Sequence, residues 1–334
     1  YAPLGKSLLP MPVFRWSRGQ DLNQRLIHLQ TPLFEKIIEN APKELNTLVA
    51  SGDTLIFQGK RLPEIPEADI VCFGLWLEPE KATHHGVFFT SFENPEQLQF
   101  MLQKPSIAKI QELVQHYYFL MDIGIWLLSS KAVELLMKNS GWNGNEYMNG
   151  TPFEYDMYST FGAAIGVNPE KTDTEINALK VAVVNLEGGE FYHLGNTSEL
   201  ITSNLAIQNR VTNQREIWHK YIKPHPSVFV LNAEINNRFT SENRNIWVEN
   251  AHIPDSWSLS RNHCLTGIPE NQWTLKLKSG DCLDMVPLEE NRFIIRNYGF
   301  TDKFSGRVGD EKTNFSGQPL LQWLDSHGLE RSEF

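Results

Sequence analysis

Asp53 closes the stretch Thr47-Leu48-Val49-Ala50-Ser51-Gly52-Asp53. The apolar run before it reads as a buried strand of a parallel sheet. Ligands of open α/β sheets bind just beyond the carboxyl ends of strands. An acid at that point can hold a cation at the edge of a crevice, and Gly52 lets a phosphate or metal approach the backbone. Lys6, in Pro3-Leu4-Gly5-Lys6, and Lys104, in Gln103-Lys104-Pro105, are cations suited to phosphate oxygens, the second at a strand end. Asp122 and Gly124 interrupt the apolar run 117–128. A carboxylate within such a strand is costly unless it is paired, which points to a function. His193 lies in Phe191-Tyr192-His193-Leu194-Gly195, just before a capped helix, where an imidazole can act as ligand or base.

Several chemistries are excluded by what the chain lacks. No G-x-G-x-x-G precedes a helix, so a dinucleotide fold has no support. No G-x-x-x-x-G-K-[ST] and no G-x-S-x-G occur, which removes P-loop and hydrolase-elbow chemistry. Cys72, Cys264 and Cys282 are scattered, without zinc spacing, and read as free thiols in a reducing compartment. A net charge of −10 argues against nucleic acid as a partner. No apolar run approaches ~20 residues and no secretory core opens the chain, so a cytoplasmic protein without a membrane partner is expected. The 334 residues, 41% hydrophobic, suffice for two domains.

The elements that must carry these residues follow from periodicity. Apolar spacing predicts helices over 21–29, 33–39, 107–116, 131–138, 153–165 and 198–211, with Thr31-Pro32 starting the second of these. Strands are predicted over 47–50, 68–77, 86–89, 98–102, 117–128, 180–186 and 190–194. Strands alternating with helices indicate an α/β fold with a mixed, mostly parallel sheet. After Pro224 the pattern changes. Val230-Leu231-Asn232-Ala233-Glu234-Ile235 recurs as Val248-Glu249-Asn250-Ala251-His252-Ile253, eighteen residues on. That period is one turn of a parallel β-helix. Two to four irregular coils are expected, closed by a strand near 292–300.

The order of these features resembles the sugar-1-phosphate nucleotidyltransferases. Lys6 corresponds to the lysine that follows the family's glycine-rich loop, and the chain begins after the point where that loop would lie. Gly52-Asp53 corresponds to its magnesium-binding Gly-Asp. His85-Gly86 matches the Tyr-Gly before the sugar pocket, Gln103-Lys104-Pro105 its Glu-Lys-Pro, and Asp122-Ile123-Gly124 its Asn-x-Gly. His193 falls on its second metal ligand. A closer resemblance, carried by Phe14-Arg15-Trp16-Ser17-Arg18-Gly19-Gln20, Leu120-Met121-Asp122-Ile123-Gly124-Ile125-Trp126, Thr240-Ser241-Glu242-Asn243, Cys282-Leu283-Asp284 and Tyr298-Gly299-Phe300, is to the pyrophosphorylase (fucose-1-phosphate guanylyltransferase) half of bifunctional L-fucokinase/GDP-L-fucose pyrophosphorylases.

The resemblance implies a Rossmann-like nucleotidyltransferase domain over 1–222 and a short left-handed β-helix with a tail over 223–334. It implies transfer between GTP and L-fucose 1-phosphate with Mg²⁺ as cofactor. Lys6, Asp53 and Lys104 would be catalytic, and Asp53 and His193 would hold the metal. Gly52, Gly86, Gln103, Asp122 and Gly124 would contact substrate. It admits a kinase domain behind Phe334, whose ATP loop this chain lacks, and a homo-oligomer. Two other readings are open: a different sugar 1-phosphate and nucleotide pair, or a non-catalytic nucleotide-sugar-binding or assembly module.

Overall fold

The computed structural model describes residues 22–58, 61–210, 225–288, 292–302, 310–315 and 318–330. Lys6 lies outside them. Within one compact unit, Leu26–Tyr192, the strands are β1 (Thr47–Ala50), β2 (Thr54–Phe57), β3 (Ile70–Leu75), β4 (Gly86–Ser91), β5 (Leu98–Gln103), β6 (Tyr117–Leu128) and β7 (Val181–Asn185), and β8 (Glu190–His193) begins in it. Six of them form a sheet of order β5-β4-β6-β3-β7, with β1 added to β6. One face packs Val71, Phe73, Val87, Phe89, Met121, Ile125 and Leu127 against Leu33 and Ile37 of helix Leu22–Asn40 and Ile110 of helix Ile107–Leu113. The other packs Ile70, Cys72, Phe88, Leu120 and Trp126 against Ala132 of helix Ser130–Asn139 and Phe161. The result is three layers, and each fully buried Phe contributes about 1.5–3 kcal/mol.

The sheet is mixed, but it is not mostly parallel. The β1–β6, β3–β6, β4–β5 and β4–β6 ladders are antiparallel, and β3–β7 is the parallel one. Residues 92–97 between β4 and β5 are too short for a crossover, so these strands make a hairpin. Alternation of strands and helices along the chain does not reveal pairing direction. β1 is half-buried rather than a central strand, because it covers only part of one edge of β6. The two helices expected around Thr31-Pro32 are one, with Pro32 inside it. Proline removes one backbone bond, but tertiary contacts hold the segment. Gln30 donates to the carbonyl of Thr54 at 2.8 Å and accepts from the N–H of Ile56 at 3.0 Å. The region 153–165, expected as a helix, contains only a π turn, Met157–Phe161, and a 3₁₀ turn, Gly162–Ala164.

The other compact unit includes His193–Phe334. Its strands β9 (Val228–Leu231), β10 (Glu234–Ile235), β11 (Ile246–Glu249), β12 (His252–Ile253), β13 (His263–Thr266), β14 (Asp281–Pro287) and β15 (Phe293–Gly299) build a β-solenoid of about three turns. The eighteen-residue repeat is a rung: Val228 pairs Ile246 and Val230 pairs Val248, all parallel. The next rung, Ile246 with His263, comes after seventeen residues, which hides it from a fixed-period search. Asn232 and Asn250 turn the corners at φ 48° and 49°, a region asparagine tolerates, and their side chains bond at 2.6 Å. Val228, Ile246, Val248, Ile253, Leu265 and Leu283 fill the interior. β15 closes the stack antiparallel to β14. All three cysteines are free and buried. Among the described residues no helix is long and apolar enough to cross a membrane.

Candidate active site

The long strand β6 organises the site. Along one edge its first half, Tyr117–Met121, pairs β4, and its last four residues, Ile125–Leu128, pair β1. Along the other edge it pairs β3, with a register shift that sets Gly74 opposite Asp122 and Phe73 opposite Ile125. Asp122, Ile123 and Gly124 therefore occupy a bulge at the seam of three strand pairings. Bulges of this kind re-aim side chains next to active sites.

Gly124 is required at that seam. Its φ is +73°, and a Cβ built there would lie 2.7 Å from the Cβ of Ser51. The close approach serves a bond: the N–H of Ser51 donates to the carbonyl of Gly124 at 2.8 Å. The Ser51 hydroxyl then donates to Oδ1 of Asp53 at 2.6 Å. Ser51, which spacing alone did not single out, thus ties the loop of Gly52 and Asp53 to the bulge of Asp122 and Gly124. Gly124→Ala is expected to lower unfolding stability by about 2–3 kcal/mol, from left-handed strain and crowding against Ser51. Urea denaturation checks it; an unchanged midpoint would mean that the bulge tolerates a side chain.

Asp122 is 4% exposed. Its Oδ1 accepts from the N–H of Gly124 at 2.8 Å and from the indole N–H of Trp126 at 3.1 Å. Burial raises its carboxyl to about 7 in spite of those two bonds. Near neutral pH it can donate or accept, as a sugar hydroxyl requires. Burial, then the charge of Asp122, also pushes the Cys72 thiol well above its ordinary range, so that thiol stays inert.

Across the β4–β6 pairing, Gly86 is closely packed and leaves no room for a side chain. A Cβ there would meet Cε of Met101 at 2.3 Å, Oε1 of Gln103 at 3.1 Å and Cβ of Asp122 at 3.2 Å. Gly86, Gln103 and Asp122 are thus neighbours. Lys104 follows Gln103 at φ 51°, exposed, its N–H bonded to the carbonyl of His85 at 2.9 Å. Tyr158 is a further member without a sequence signal. Its ring meets that of Trp126 edge-on at 5.9 Å. Burial, followed by the charges of Asp122 and Asp53, raises its hydroxyl far above the usual range. Trp126 lies four residues beyond Asp122 on a strand, so period-two alternation could have found it.

The structure accordingly brings Asp53, Gly52, Gly86, Gln103, Asp122 and Gly124 into one neighbourhood with Ser51, Trp126 and Tyr158. His193 belongs to the other unit, where Nδ1 stands 2.9 Å from Oε2 of Glu199. Among the described residues no three His, Cys, Asp or Glu side chains form a metal cluster. Magnesium, however, commonly takes one or two protein carboxylates and completes its shell with water and substrate phosphates. Asp53, a partly buried carboxylate steadied by a hydroxyl, fits that donor pattern.

Residues 170–334 match the family model described as Fucose pyrophosphorylase domain. Over 329 residues, 98% of the chain, the sequence is 50% identical to the "L-fucokinase/L-fucose-1-P guanylyltransferase" of Bacteroides fragilis. The chain spans about a third (34%) of the length of that relative. Among solved structures, the chain is similar to a mannose-1-phosphate geranyltransferase from Thermus thermophilus at 12% identity and TM-score 0.41, over 84% of this chain and 86% of that one. It is also similar to a UTP-bound UGPase from Acinetobacter baumannii at 11% identity and TM-score 0.31, over 56% and 57%.

Proposed function

From the match of residues 170–334 to the fucose pyrophosphorylase family, we propose that the chain transfers the guanylyl group of GTP to L-fucose 1-phosphate. The products are GDP-L-fucose and pyrophosphate. The observation that carries the reading is the 50% identity to a relative named for that guanylyltransferase, over nearly the whole chain. The site geometry supports the division of labour.

An oxygen of the sugar phosphate attacks the α-phosphorus of GTP in line, and the bond from that phosphorus to the bridging oxygen of pyrophosphate breaks. No covalent enzyme intermediate is needed, so positioning and charge neutralisation carry the rate. Asp53 would hold Mg²⁺, which when bound neutralises phosphate charge. Ser51 keeps the Asp53 carboxylate in one orientation through its 2.6 Å bond. Lys104, on its left-handed bend, offers an ammonium to the sugar phosphate. Asp122 hydrogen-bonds sugar hydroxyls beside Gly86 and Gln103, its neighbours in the fold. The same reading takes the α/β unit as Rossmann-like, the solenoid as left-handed and the protein as cytoplasmic.

Pyrophosphate release from a panel of nucleoside triphosphates and sugar 1-phosphates, with magnesium, tests this. GTP with L-fucose 1-phosphate is expected to be the fastest pair. A faster rate with another sugar or base, or none with any pair, overturns it.

A further inference from the structure

Tyr158 stands on the π turn Met157–Phe161, a rare form frequent at functional sites. The turn is fixed from several sides. Oδ1 of Asp156 accepts from the N–H groups of Tyr158 at 2.9 Å and Ser159 at 2.6 Å. Lys171 donates to the carbonyl of Ser159 at 2.8 Å. Met101 pegs the turn to the floor of the site: a Cβ on Gly162, just after the turn, would lie 2.7 Å from its Sδ, and one on Gly86 2.3 Å from its Cε. Trp126, whose indole N–H holds Asp122, presses edge-on against the Tyr158 ring.

A side chain fixed this firmly has its polar end unused. Among the described residues the half-buried Tyr158 donates no hydrogen bond, and its hydroxyl is not one of the buried polar atoms without a partner, so the oxygen is open to solvent or ligand. It lies within electrostatic reach of both Asp122 and Asp53 and is bonded to neither. A phenol is a donor until it ionises, near pH 10 or above. A donor held near two acids, one on the metal side and one on the sugar side, suits a ligand rich in acceptor oxygens.

We propose that Tyr158 is a substrate-binding residue for the sugar 1-phosphate, its hydroxyl donating to the oxygens that lie between Asp53 and Asp122. This assignment rests on the function proposed above and adds to it a residue from outside the shared motifs. Tyr158→Phe removes one oxygen and keeps the ring contact with Trp126. The test is calorimetric binding of L-fucose 1-phosphate without nucleotide, together with the KM for each substrate. The variant is expected to bind the sugar phosphate at least ~10-fold more weakly, as the loss of a hydrogen bond to a charged group predicts, while the KM for GTP is unchanged. If both proteins bind it equally, or if the KM for GTP rises as much as that for the sugar, the assignment of Tyr158 falls alone. If the wild-type protein binds no sugar 1-phosphate, the proposed function falls and takes the assignment with it.

Discussion

Asp53→Asn is expected to reduce turnover at least ~10²-fold, the cost of removing one preorganised electrostatic stabiliser from a transition state. The change is nearly isosteric. An amide oxygen still accepts from the Ser51 hydroxyl, so the loop between β1 and β2 should keep its shape. What disappears is the carboxylate charge that, on the proposed reading, would hold magnesium between two phosphate-bearing molecules. The loss should appear in kcat at saturating magnesium, with thermal stability within about 1 kcal/mol of the parent. Initial rates of pyrophosphate release give the first quantity and a melting curve the second. Normal turnover in a folded Asp53→Asn variant would place the metal on another group.

Asp122→Asn is expected to raise stability above neutral pH. The folded carboxyl titrates near 7, while an unfolded aspartate titrates near 4. Between those values the folded chain keeps a proton that the unfolded chain has lost. Stability therefore falls as pH rises through that window and levels off above it. The penalty above pH 7 amounts to at most about 4 kcal/mol. Asparagine carries no charge and still accepts from Gly124 and Trp126. Urea denaturation without divalent cations or substrate should find the variant more stable at pH 8 and equal to the parent near pH 4. Parallel pH curves for the two proteins would show that Asp122 does not titrate as its burial demands. On the proposed reading of Asp122 as a sugar-binding residue, the gain should come with weaker sugar-phosphate binding.

Much of this organisation was legible before any coordinates. β6 is an apolar run broken by one acid and one glycine, and that anomaly marks the bulge. The solenoid announces itself in its first two rungs, where Val, Asn, Ala and Ile recur eighteen residues apart. Other features left no trace. Pro32 has the look of a helix start, yet it lies inside a longer helix because Leu33 and Ile37 pack on the sheet and Gln30 clasps β2. Glu199, which no motif singled out, stands 2.9 Å from Nδ1 of His193, the residue that motif position assigns to a metal.

By itself the sequence determined which strands and coils form and which residues are out of place in them: an acid after Gly52, an acid at 122 inside an apolar strand, glycines at 86 and 124. These are local matters, set by side-chain period and by the few residues that tolerate a positive φ. Only the tertiary structure decided the antiparallel order of the sheet, the bridge from Ser51 to Gly124, the elevated proton affinity of Asp122 and the arrival of Tyr158. Each of these depends on groups distant along the chain being brought within a few ångströms and shielded from water. Direct contact and desolvation are properties of packing, which no window of the sequence contains.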